Sequence, residues 1–232
     1  MAKQRKKAPK VKIEWLNHVL GFAGVVLGVL IAFWLNNWAG NRREQQIAEV
    51  ALKNIRSEVA RNQSAMDTLV QVNARQLGFL DAYLPLVDDD MTFLGSSSQF
   101  DSLQAQFPDL LLARGRLDIE IELLGLPEVA WKTSLNSSIL SSIDFNLLYA
   151  INESYDLQEK VAGIDNLLIS DLRNIGNGRK NDFHSFQRTL GTYMQLSEQL
   201  LLEKYPRCLK EIVLFLADGS RDTDALVLDT IK

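Results

Sequence analysis

Residues 19–35 carry no charged or strongly polar side chain, and no other stretch restricts what this chain can fold into as severely. Eleven of those seventeen residues are Val, Leu, Ile or Phe. Each contributes about −0.3 to −0.6 kcal/mol on the membrane-insertion scale, so the run sums to roughly −3 to −7 kcal/mol. From Trp15 to Leu35 a helix rises about 30 Å, the thickness of a bilayer's hydrocarbon core. Trp15 stands at one end and Trp34 and Trp38 at the other, three of the four tryptophans in the chain. Amphipathic rings prefer the headgroup level, so the three read as interfacial anchors of a transmembrane helix over 15–38. Two other readings compete. A buried core helix can be this apolar, but gains nothing from flanking Trp and Lys clusters. A cleaved signal peptide needs small residues after the apolar run, where Phe33, Trp34 and Leu35 stand instead.

Charge divides the chain at this segment. Residues 1–43 hold eight Lys/Arg against the single acid Glu14, a net +7, and the rest holds 17 basic and 28 acidic residues, a net −11. Lys3, Arg5, Lys6, Lys7, Lys10 and Lys12 precede the span, whereas Arg42, Arg43, Lys53 and Arg56 follow within about 20 residues. The bias predicts a cytoplasmic N-terminus and an extracytoplasmic (periplasmic) C-terminal domain in the inner membrane. The basic tail, 1–14, suits anionic lipid headgroups at about 1 kcal/mol per residue. The acidic body repels nucleic acid phosphates, so no nucleic acid partner is expected. Gly24, Gly28 and Ala32 recur every fourth residue and form a smooth stripe on which another membrane helix can pack, of a second copy or of a different membrane protein.

Gly and Pro together number 18 of 232 residues, below the roughly 12% of average usage, which favours long helices over a many-turned sandwich. Between Gly40 and Gly78 no Gly or Pro intervenes, and Leu52, Ile55, Val59, Asn62, Met66, Leu69 and Asn73 follow a heptad seam. The seam resumes after a four-residue step at Leu77, Leu80 and Leu84, with Lys53, Arg56, Glu58, Arg61, Gln63 and Asp67 on the wet face. A long amphipathic, coiled-coil-like helix over 39–87 follows, with the seam asparagines fixing register at some cost in stability. Beyond it 88–217 reads as a helical bundle domain and 218–232 as a loosely held acidic tail. Within the bundle a helix is expected at about 101–114. The alternation of Leu117, Ile119, Ile121 and Leu123 with acids has the period of a strand, paired with 91–94, or else continues a helix. Pro127 opens a short helix through Trp131, and Ser141, Ser142 or Asp144 caps the next at about 144–174, ended by Gly176 and Gly178. Another starts at Asn181 or Asp182, Pro206 breaks it, and 208–216 forms the last. The fold class is therefore all-α, a bundle of about five helices on a membrane helix, with at most one short β-element.

The run Gly28-Val-Leu-Ile-Ala-Phe-Trp-Leu-Asn-Asn-Trp38, followed by Arg42, Arg43 and a charged helix, resembles uncharacterised bacterial single-span membrane proteins that carry an Asn-Asn-Trp element after the span. Those proteins also tend to carry a Trp, a Ser-rich turn and a helix with Tyr, which Trp131, 137–142 and Tyr155 match loosely; the Gly common in that turn is missing. The resemblance covers 24–60 best. It implies a bacterial inner-membrane protein with a helical extracytoplasmic domain, and brings no assigned activity.

Chemistry is sparse. Phosphate loops, dinucleotide fingerprints, zinc-protease and nucleophile-elbow motifs are absent from the sequence. One Cys and two His exclude a disulfide framework and a multi-histidine metal site within one chain, so no cofactor or metal is expected. The only catalytic candidates are Arg179 and His184, an R-x4-H spacing at a helix start of the kind HEPN-type ribonucleases use, where His moves protons and Arg faces phosphate. A solvated helix start is the plainer reading. Asp88, Asp89 and Asp90, and the Asp218–Asp224 stretch, are acidic clusters without the order of a calcium loop. Arg207 beside Cys208 could lower the thiol pKa, although a structural thiol is the plainer role. His18 reads as an interfacial polar residue. The reading is a non-enzymatic membrane-anchored scaffold or interaction protein. An extracytoplasmic ligand sensor signalling through a partner span is the alternative, since about 14 residues before the span leave no room for an output domain; a nuclease or toxin would require a cytoplasmic body.

Overall fold

The computed structural model describes the backbone of residues 15–229 apart from 112–116, 124 and 136–142, and side chains between 19 and 217. The basic tail with Lys3, Arg5, Lys6, Lys7, Lys10 and Lys12, and the side chains of Trp15 and His18, lie outside the described residues. The chain divides into two compact units, Met1–Ile47 and Ala48–Lys232.

The fold is all-α. Helix α1 spans Trp15–Tyr83 and passes into a 3-10 turn, Leu84–Leu86. It is followed by α2 (Ser97–Gln106), α3 (Val129–Leu135), α4 (Phe145–Ile175), α5 (Lys180–Gln199) and α6 (Tyr205–Asp229). Each terminus has a local cause. Ser96 caps α2 in a reciprocal capping box with Gln99, and Phe107 then leaves the helix at φ −130°. This helix is therefore shorter, and starts earlier, than the apolar pattern over 101–114 suggests. Asp144 caps α4 by accepting from the N–H groups of Asn146 and Leu147, and Gly178 turns the chain at φ +69°, a left-handed conformation that favours glycine.

Within the second unit the heptad seam forms the core. Leu52, Ile55, Val59, Met66, Leu69 and Asn73 are fully buried, as is Asn62. After Asn73 the buried positions are Gln76, Phe79, Leu80, Tyr83 and Leu84, while Leu77 is only half-buried: the three-and-four spacing runs on through Gln76, Leu80 and Tyr83, so the expected four-residue step to Leu77 is not taken. Glu58, expected on the wet face, is 3% exposed.

Inter-helix contacts fix the direction of each element. Glu58 and Asn62 of α1 meet Tyr155 and Gln158 of α4, so these helices run parallel. Asp81 meets Gln187, and Tyr205 meets the Asn62–Gln158 pair, so the α5–α6 arm runs antiparallel to α1. Its ladder on α4 agrees: Thr189 meets Asp171, and Lys204 and Arg207 meet Glu153. The layout is a three-helix bundle, α1 up, α4 up and α5–α6 down. Two parallel neighbours require a long return connection, and residues 84–144 provide it. At one end of the bundle that connection packs Phe93, Phe100 and Phe107 against Phe79 and Tyr83 of α1.

Two sequence expectations are corrected. No strand occurs among the described residues; 118–123 forms neither helix nor strand, with isolated bridges Leu111 to Leu117 and Val87 to Phe93 in place of a ladder. Pro206 does not end the helical run that begins with α5. The π turn Leu200–Lys204, in which the Tyr205 N–H reaches back to Leu200, widens the backbone just ahead of it, so the ring passes without meeting the preceding turn. Helix α6 runs on through Gly219 to Asp229, and the side chains of the acidic stretch after 217 lie outside the described residues.

Gly163 and Gly178 give this description opposite tests. A Cβ on Gly163, exposed in the middle of α4, meets nothing within 4 Å, whereas Gly178 sits at φ +69°. Gly163→Ala will stabilise the second unit by about 0.5–1 kcal/mol and Gly178→Ala will destabilise it by about 1–2 kcal/mol. Melting followed by circular dichroism should move by a few degrees in each direction, about 2–4 °C per kcal/mol.

Candidate functional site

The most unusual chemistry in the molecule lies inside the bundle. Glu58, Asn62, Ser154, Gln158, Tyr155, Tyr205 and Cys208 are all buried at the level where α1, α4 and the start of α6 meet. Glu58 uses both carboxylate oxygens: Oε1 accepts from the Tyr155 hydroxyl at 2.6 Å and Oε2 from the Ala130 N–H at 3.0 Å. Ala130 lies in the first turn of α3, whose unpaired N–H groups suit an anion. Trp131, in the same turn, stacks on Tyr155 with ring centroids 5.7 Å apart and planes 11° from parallel. Asn62 donates to Gln158 Oε1 at 3.0 Å, and Tyr205 donates to the same oxygen at 2.8 Å. The Asn62 and Gln158 amides also reach the carbonyls of Pro127 and Leu126. Further along α1, Asn73 forms a two-way bond with the backbone of Glu122, donating to its carbonyl at 2.8 Å and accepting from its N–H at 2.9 Å.

The ionisation state follows from burial. Burial, then the hydrogen bond to Glu58 and its charge, raise the Tyr155 phenol far above its ordinary pKa, so Tyr155 keeps its proton and donates. Burial likewise raises Tyr205. The Cys208 thiol is pushed up to about 12 by burial, which the Ser154 hydroxyl beside it offsets only in part. The reactive thiolate suggested by the neighbouring Arg207 is thus contradicted: the sulfur is inside the core, while the guanidinium faces Glu153 and the Tyr149 ring. With every one of these polar groups engaged by protein, the cluster's chemistry is that of a hydrogen-bonded clamp.

The sequence-derived candidates lie elsewhere. Arg179 is the N-cap residue of α5 and makes no side-chain cap bond; His184 is exposed, with Nδ1 3.2 Å from Gln187 Oε1, and the two share no hydrogen bond among the described residues. Lys180, next to Arg179, instead fastens the 87–93 turn, donating to the Val87 carbonyl at 2.6 Å and through its N–H to Asp89. In the first unit Trp34 and Trp38 are exposed, 65% and 47%, and Arg42 lies over the Trp38 ring. Gly24, Gly28 and Ala32 are exposed too, and a Cβ on either glycine meets nothing within 4 Å. The most apolar part of this helix has a mean hydropathy of 2.2, and none of it is buried by the rest of the chain. A buried core helix is therefore not what this segment forms. One further surface feature is a groove of about 420 Å³ between α1 and the π turn, with Ala60, Asp67, Leu202 and Pro206 in its walls.

Comparison with protein-family models, curated proteins and solved structures finds no match for the chain.

Glu58, Ser154, Gln158 and Tyr205 are the cluster members that the sequence pattern did not single out. A signal was there: Glu58 stands three residues after Ile55 and four before Asn62, and so borders the seam. Tyr155 and Trp131, which the sequence places on separate helices, stack on each other.

Two measurements test the cluster. Tyr155→Phe leaves a buried carboxylate oxygen without its donor and will destabilise the protein by about 1–3 kcal/mol in urea unfolding, with the Trp131 stack retained. At pH 8 Cys208 will stay unmodified by a disulfide reagent in the folded protein and react fully in denaturant. Between pH 8 and 10 the native protein will lack the rise in rate that an ordinary thiol shows as it titrates near 8.5.

Proposed function

We propose that this protein is a non-enzymatic interaction module anchored in a bacterial cytoplasmic membrane by a single span. The observation that carries the reading is the stretch of α1 with mean hydropathy 2.2 that the fold leaves wholly uncovered. Apolar surface on that scale is stable in lipid or against another helix, and soluble monomers rarely expose it. The Lys/Arg bias around the span supports a cytoplasmic N-terminus and a periplasmic bundle. In this reading lipids contact the span and the basic tail, and the stripe Gly24, Gly28 and Ala32 accepts the backbone of a second copy or of another membrane protein. The bundle's buried polar groups serve its own architecture, which supports an interaction role ahead of a catalytic one.

Alkaline phosphatase fused to the C-terminus is expected to be active, and a fluorescent protein at the same position dark. The reverse result would overturn the orientation and reopen the nuclease reading at Arg179 and His184. Gly28→Leu is expected to weaken self-association in a membrane two-hybrid assay about three- to tenfold, the effect of roughly 0.6–1.4 kcal/mol. An unchanged signal would remove the stripe as the contact face.

A further inference from the structure

Fourteen asparagines occur in the chain, and the fold treats one of them differently. Asn136 lies outside the described residues. Of the other thirteen, twelve stand within α1, α4 or α5, and Asn177 alone lies in a turn, the one between α4 and α5. Asn177 is also the only asparagine of the sequence followed by glycine. Both residues of the pair are exposed, and the Asn177 side-chain amide has no partner among the described residues. Gly178 holds φ +69°, with open space where a Cβ would stand.

These are the conditions under which a backbone nitrogen attacks the side-chain amide of the preceding residue. The five-membered ring closes only when the asparagine's ψ leaves the helical value of about −42°, which the helices deny to the twelve others. A glycine in the next position puts no side chain beside the attacking nitrogen. In the turn that nitrogen is engaged by a single bond, from the Gly178 N–H to the Ile175 carbonyl at 2.8 Å. The bond is at the surface, where water replaces it at little cost.

We propose that Asn177 is a site of spontaneous deamidation through a cyclic imide. The Gly178 nitrogen loses its proton to hydroxide and forms a bond to Asn177 Cγ, while the side-chain nitrogen takes up a proton and leaves as ammonia. Water then opens the ring at one of its two carbonyls. Opening at Cγ gives aspartate; opening at the main-chain carbonyl gives isoaspartate, in which the chain runs on through the side chain. Water is the only co-reactant, and no oxidation or reduction is involved. Either product adds a negative charge to the turn. Isoaspartate also lengthens the main chain by one carbon inside the loop that the Ile175–Gly178 bond closes. The reaction belongs to the second unit and is independent of the membrane reading.

Trypsin cuts after Arg173 and Arg179, so Asn177 and the helical Asn174 leave in one peptide, where fragment masses tell them apart. The test is full-length protein kept folded in detergent for several weeks, one sample at pH 8 and one at pH 6. Conversion of amide to carboxylate is expected at Asn177 at least about tenfold faster than at Asn174, the effect on rate of one further backbone hydrogen bond to be broken. It is expected to run faster at pH 8 than at pH 6, because the nitrogen attacks after losing its proton. Isoaspartate at 177, read by enzymatic methylation of its carboxylate, identifies the cyclic route. Absence of conversion at pH 8, equal rates at the two asparagines, or a product without isoaspartate would each overturn the proposal.

Discussion

The hydrogen bonds from helix side chains to the backbone between Glu122 and Ala130, a strap across α1 and α4, are the constraint on which the second unit depends. α1 and α4 run parallel, so the chain must travel the length of the bundle between them. Between α2 and α3 the described residues of that path form neither helix nor strand, so their main-chain groups need partners. Ordinarily water or a neighbouring strand would supply them. In this fold Asn62, Asn73, Gln158 and Glu58 do so from within the helical seam. A seam made wholly of Leu and Ile would offer the strap nothing, and a sheet would require a second strand, of which there is none among the described residues.

That solution has consequences for everything around it. A buried carboxylate is tolerated only with its acceptor capacity filled, and Glu58 reaches that condition through the Tyr155 hydroxyl and the first turn of α3. Tyr155 must then stay protonated, and the dry surroundings that raise its pKa ensure it. Tyr205 has to arrive at Gln158 from the descending arm, which sets the register of α6 on α4. The π turn before Pro206 lies immediately ahead of Tyr205, so the backbone irregularity and the polar cluster share one stretch of chain. Such networks specify one register because any slip leaves several groups unpaired at once.

Much of this architecture could be read from residue order, and where reading stopped the reasons are physical. The seam from Leu52 to Asn73, the cap at Asp144 and the turn at Gly178 depend on local propensity and helical period, which sequence carries directly. The alternation at 117–123 predicted a strand and the chain forms none there; what it could not signal was that the Glu122 backbone pairs with the Asn73 amide. Glu58 was placed on the wet face because charge argues for water unless a specific partner is close, and its partners lie 72 and 97 residues away. Pro206 looked like a helix end because a single extra residue in the preceding turn, the only thing that accommodates it, leaves no compositional trace. Cys208 looked activated by Arg207, yet neighbours in sequence on a helix point about 100° apart, and these two face core and surface.

By itself the sequence determined the all-α class, the uncharged run long enough to span a bilayer, the opposite charges on either side of it and the helical seam, since each is a property of composition or of period along one element. Only the tertiary structure decided the parallel pairing of α1 with α4, the capture of the strap by Asn62, Asn73 and Gln158, and the burial of Glu58 against Tyr155. Those features depend on which residues meet across long stretches of chain, and a pairwise meeting in space is not written in the periodicity of either partner.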